Sequence, residues 1–163
     1  MTIYGRMLLA ASGSALLLIG ALAFQYIGGL APCEMCIWQR WPHVAAVAIG
    51  GLGVTVLWRQ RRIMAAIGAL AMLVSAGLGL FHAGVEQDWW EGMTACATND
   101  ISGLSTDDLM AQLMDAPLVR CDEIPWSFLG LSMAAWNGVI SAGLALLWAA
   151  SILWWRMPFN REA

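Results

Sequence analysis

Four long apolar stretches alternate with polar connections along the chain, at about Met7 to Phe24, Trp41 to Trp58, Ile63 to Phe81 and Leu131 to Trp155. None of the four contains Asp, Glu or Arg. A run of about nineteen residues rises roughly 28 Å as a helix, close to the hydrocarbon core of about 30 Å that a membrane span must cross. Small residues recur inside the stretches, among them Gly13, Gly50, Gly68, Gly79 and Gly138, and small residues let helix backbones approach one another where lipid removes the hydrophobic driving force. The pattern predicts an all-α fold, an integral membrane four-helix bundle forming a single domain over 1–163. Its polar parts are two outer loops, at about 25–40 and 82–130.

Composition agrees with that reading. Of 163 residues 60% are hydrophobic and only 12% are charged, which excludes an ordinary soluble domain. Charge adds an orientation. The chain has no lysine, and six of its eight arginines (Arg6, Arg59, Arg61, Arg62, Arg156 and Arg161) fall at the termini or in the turn between the second and third stretches. By the positive-inside rule those ends are cytoplasmic. The two remaining connections carry Arg40 and Arg120 with most of the acidic residues, and so lie outside; in a bacterium that is the periplasm, where disulfides persist. Arg6 followed by an apolar run ending in Ala21-Leu22-Ala23 also resembles a signal peptide, but the length of the run favours a retained first anchor.

All four cysteines fall in the outer connections. Cys33-Glu34-Met35-Cys36 follows Pro32, and its two-residue spacing lets the sulfurs close a small disulfide. A helix starting there would favour a thiolate through its positive end, and Arg40, four residues beyond Cys36, would share that face. Glu34 inside the pair should oppose a thiolate. Cys96 and Cys121 lie far apart in the second loop with no nearby histidine, a poor zinc pattern, so no metal is expected. Between them, Ser105-Thr106-Asp107-Asp108 resembles a helix start. Leu109, Met110, Leu113 and Met114 then give an apolar face, which predicts a short interfacial helix. By count and compartment alone, the cysteines fit structural staples as well as redox chemistry.

With these residues in view, the chain resembles the DsbB family of bacterial membrane thiol oxidoreductases. The resemblance rests on four spans, Pro32-Cys33-x-x-Cys36 followed by Arg40, His82 at the outer end of the third span, the separated Cys96 and Cys121, and Trp126-Ser127-Phe128-Leu129-Gly130-Leu131 leading into the fourth. It implies an inner-membrane enzyme that reoxidises a periplasmic DsbA-like dithiol oxidase and passes the electrons to a membrane quinone, ubiquinone or menaquinone. On that analogy Cys96 and Cys121 start as a disulfide, the donor attacks Cys96, and the released Cys121 exchanges with Cys33. Cys36 is left as the thiolate facing quinone. Arg40 would support that thiolate and the quinone, and His82 would offer the quinone a hydrogen bond; His43 reads as a polar residue at the start of the second span.

Two rivals predict different things. A vitamin K epoxide reductase-like enzyme would carry its quinone-facing Cys-x-x-Cys near the end of a late span, whereas this one follows the first. A disulfide-stapled, non-enzymatic membrane scaffold would hold disulfides that exchange with no partner.

Overall fold

The computed structural model describes residues 2–92 and 119–153, together with residues 105, 107 and 110. Four long helices dominate them: α1 (Ile3–Tyr26), α2 (Glu34–Val54), α3 (Arg61–Glu86, entered through a 3-10 turn at Trp58–Gln60) and α4 (Met133–Leu153). Three helical segments, Ile3–Tyr26, Trp58–Glu86 and Met133–Leu153, are long and apolar enough to cross a membrane. Helix α2 is not in that group; it begins at Glu34, ahead of the expected span at Trp41, and its first two turns bring in Glu34, Gln39 and Arg40. Of the segment expected to form the interfacial helix, only Ser105, Asp107 and Met110 are described, all exposed, with Asp107 and Met110 helical. The rest of that helix and Cys96 lie outside the described residues.

The helices pack by small residues at the end where α1 begins and α4 finishes. Met7, Ala10, Ala46, Ala65, Met72, Ala145 and Trp148 form one buried cluster. Gly68 admits the Trp148 ring, since a Cβ on Gly68 would stand 2.6 Å from it. Gly79 and Gly138 bring the α3 and α4 backbones together in the same way, with a Cβ on Gly79 standing 2.6 Å from the amide nitrogen of Gly138. The buried Arg6 donates from one Nη to the Ala150 carbonyl (3.1 Å) in the last turn of α4.

At the other end the entry into α4 is a small hairpin, a departure from the helix expected to run on from Leu131. Strands β1 (Ser127–Phe128) and β2 (Leu131–Ser132) pair antiparallel around Leu129 and Gly130, which have φ of 52° and 78°. Two successive left-handed residues make the two-residue turn whose twist suits a hairpin. Ser132 then caps α4, its Oγ accepting from the Ala135 amide (3.1 Å) while its hydroxyl donates to Glu86 at the end of α3. One side chain thereby joins the two helices that flank the second loop. Trp90 folds back onto the end of α3, donating from Nε1 to the Phe81 carbonyl (2.9 Å) and stacking on Phe81.

Candidate functional site

Cys33 is the N-cap of α2. Its backbone is extended, as a cap requires, and its Sγ accepts from the Cys36 amide at 3.2 Å. The helix that starts there places Cys36 in its first turn with the two sulfurs 2.8 Å apart, both free thiols, Cys33 donating to Cys36. This directional contact separates the pair chemically. Donation from Cys33 holds the Cys36 thiol below its ordinary pKa, against burial and the charge of Glu86, and with help from the Arg40 cation. The same contact and burial push Cys33 up. Cys36 is therefore the sulfur favoured as thiolate. Glu34, expected to oppose it, is exposed, and the carboxylate that acts on both sulfurs is Glu86.

The second loop returns to this pair through Cys121. Cys121 is disulfide-bonded and fully buried, and its Sγ, Cys33 Sγ and a ring nitrogen of His82 all lie within 4.8 Å of one another. Packing of Met35 and Val85 with Cys33 and Cys121 closes a small apolar cluster around them. His82, itself buried, stands 3.7 Å from Cys33 Sγ and 3.2 Å from the Cys121 carbonyl through Nε2.

Beneath the cysteines lies a cavity of about 250 Å³ between α1, α2 and α4. Leu16, Leu17, Ala21 and Phe24 supply its apolar wall from α1, while Cys36 and Arg40 face it from α2. Arg40 is held by donation to Gln25 Oε1 at 2.6 Å. Trp126 and Trp136 border the cavity on the hairpin side, where Trp126 stacks on Phe128 and Trp136 Nε1 donates to the Phe128 carbonyl (2.9 Å).

The model of the family described as "Disulfide bond formation protein DsbB" matches residues 5–151. The chain belongs to the DsbB family. Its similar relatives include disulfide bond formation protein B of Shewanella sp. (strain MR-4), 33% identical over 81% of this chain and 77% of that one. The protein of the same name from Albidiferax ferrireducens is 32% identical over 85% of this chain and 83% of its own. Disulfide bond formation protein B 2 of Pseudomonas aeruginosa is 31% identical over 90% and 88%.

Of the residues that the sequence singled out in this DsbB-family chain, the structure gathers Cys33, Cys36, Arg40, His82 and Cys121 at one end of the bundle. Sequence reasoning missed what lies behind them. Gln39 bonds His82 Nδ1 (2.7 Å), Asn137 donates to Gln39 Oε1 (2.7 Å), and Asn137 Oδ1 meets His43 Nε2 (2.9 Å), beside Ser75 and Ser141. His43 belongs to this buried chain of hydrogen bonds and is more than a polar residue at a span boundary. The available signal was spacing: Gln39 with His43, and Asn137 with Ser141, are i,i+4 pairs of polar residues in apolar helices, and such residues turn inward.

Proposed function

We propose that the protein is a membrane dithiol:quinone oxidoreductase that reoxidises a periplasmic DsbA-like thiol oxidase and so sustains disulfide formation, with both termini cytoplasmic and the cysteine loops periplasmic. The observation that carries the reading is the stacking of three elements in order: a buried disulfide sulfur at Cys121, the Cys33–Cys36 pair beside it, and an apolar cavity opening onto Cys36 and Arg40.

Cys33 and Cys121 are 5% and 0% exposed, which keeps a protein thiolate from both and supports the entry of electrons at Cys96 that the family resemblance implies. Attack on Cys96 forms the mixed disulfide and releases Cys121 as a thiolate. Cys121 then attacks Cys33, forming the Cys121–Cys33 bond, breaking Cys33–Cys36 and leaving the electron pair on Cys36. The Arg40 cation favours this outcome, because it lowers the pKa of Cys36 and the better leaving thiol is the one of lower pKa. The second donor thiol resolves the mixed disulfide and frees Cys96, which attacks Cys121, restores Cys96–Cys121 and returns Cys33 as a thiolate that closes again on Cys36 as the electron pair passes to quinone.

An apolar cavity onto which the Cys36 thiolate and the Arg40 cation face fits a ubiquinone or menaquinone ring: the walls take the ring and tail, and Arg40 offers donors to a developing oxyanion. Bound quinone supplies the two-electron oxidant and leaves as quinol with the two protons of the donor dithiol. Arg40 keeps Cys36 ionised for that transfer, and His82 closes the wall between the cavity and the sulfurs.

The test is quinone reduction by the purified protein in detergent with a reduced DsbA-like donor, supplied with ubiquinone and menaquinone analogues in turn. Wild type should turn over and Cys36→Ser should not. Cys96→Ser should fail with the protein donor while still binding quinone. Wild-type protein that keeps its disulfides and reduces neither analogue would favour the scaffold.

A further inference from the structure

The polar chain behind the cysteines has a direction, and that direction is fixed at one end. The Cys121 carbonyl can only accept, so the Nε2 that faces it at 3.2 Å carries a proton. In neutral His82, Nδ1 must then accept, which turns the Gln39 amide nitrogen toward it at 2.7 Å and the Gln39 oxygen away. That oxygen receives the Asn137 amide at 2.7 Å, and the Asn137 oxygen in turn faces His43 Nε2 at 2.9 Å. Reversing every bond would satisfy each amide equally well, but would leave a lone pair of Nε2 against the Cys121 carbonyl. Gln39, His43 and His82 are buried.

The N–H that results serves two groups at once. It anchors the Cys121 backbone, and it lies 3.7 Å from Cys33 Sγ, in a cluster where ring nitrogen and both sulfurs fall within 4.8 Å. These are the two sulfurs that must exchange in the relay proposed above, on which this inference rests. We propose that His82 assists the Cys121–Cys33 exchange by presenting an Nε2–H to the sulfurs, and that Gln39 and Asn137 are positioning residues that hold its proton on Nε2. The donor stabilises the thiolate released on Cys121 and keeps it against Cys33 while the Cys121–Cys33 bond forms and Cys33–Cys36 breaks. No net oxidation occurs in this step; a thiolate on Cys121 is replaced by one on Cys36, and the ring proton stays on Nε2.

The experiment uses the full chain in detergent with its two histidines labelled with 15N in the ring, so that only His43 and His82 give ring signals. Single turnover with a reduced DsbA-like donor, quenched in acid and mapped by mass spectrometry without reduction, measures the rate at which the Cys33–Cys121 link appears. In wild type, His82 should be protonated on Nε2 and bare on Nδ1. His82→Phe should slow the link about a hundredfold, the usual loss when one preorganised hydrogen-bond donor to an anion is removed. In Asn137→Leu the Gln39 amide loses the donor that holds its oxygen away from Nδ1, so the preference for Nε2–H, which the Cys121 carbonyl still supports, should weaken, and the link should form about tenfold more slowly, the rate equivalent of one hydrogen bond. A wild-type His82 protonated on Nδ1, or on both nitrogens, overturns the inference whether or not the variants fold. So does an Asn137→Leu protein of wild-type helicity with unchanged tautomer and rate. Absence of any Cys33–Cys121 link in wild type is a different failure, and it overturns the relay itself.

Discussion

The two ends of the bundle solve opposite problems with the same four helices. Where α1 begins and α4 ends, the interior is Met7, Ala10, Ala65, Met72 and Trp148, with glycine set against indole. Where α2 begins and α3 ends, the interior carries thiols, imidazole and amides, and a cavity of about 250 Å³ remains beside them. Buried polar groups without partners would cost about 1–3 kcal/mol each, and an empty apolar cavity also lowers stability. The closely packed end supplies the rigidity that lets the other end keep its polar atoms and its space. Sulfur exchange and a ligand site belong to that second end.

If this division holds, substitutions should sort by end. The largest effect is expected from Cys36→Ser, which should abolish quinone reduction while leaving helicity and thermal denaturation in detergent as in wild type. Arg40→Ala comes next, with quinone turnover reduced roughly a hundredfold, the usual loss when a preorganised charge partner is removed. Its pH dependence gives the sign. Arg40 helps to hold the Cys36 pKa down, so its loss raises that pKa, and the acid limb of turnover and of thiolate absorbance should move to higher pH. An unmoved limb would detach Arg40 from the thiolate.

The smallest effect on chemistry and a clear one on stability are expected at the other end. Gly68→Val would drive its side chain into the Trp148 ring, and overpacking of this kind costs about 1–3 kcal/mol. The midpoint of thermal denaturation in detergent should fall. Turnover per folded molecule should stay near wild type; a large drop at equal folded fraction would mean that the two ends are coupled.

Much of this division was legible in the sequence. Apolar runs free of acids and arginine announced the helices, and Pro32-Cys33-x-x-Cys36 with Arg40 announced the reactive end, because both signals are local and periodic. The α2 helix begins earlier than its apolar run because Cys33 caps it, a feature of backbone geometry that hydropathy does not register. Gln39, Asn137 and His43 stayed hidden for another reason. Their bonds join residues on different helices, and only the packing decides which helix faces meet. His82 was expected beside the quinone on family resemblance. Its place against Cys33 and the Cys121 carbonyl depends on where the long second loop returns, which no local pattern encodes.

In the proposed relay the second loop delivers Cys121 onto Cys33. The most direct measurement of this step is mild oxidation of the double variant Cys36→Ser, Cys96→Ser, which retains only Cys33 and Cys121 of the four cysteines. Proteolysis between the loops and electrophoresis without reductant then report the product. The account predicts a rapid intramolecular disulfide that holds the two fragments together until reductant is added. Free thiols or disulfide-linked dimers in its place would contradict it.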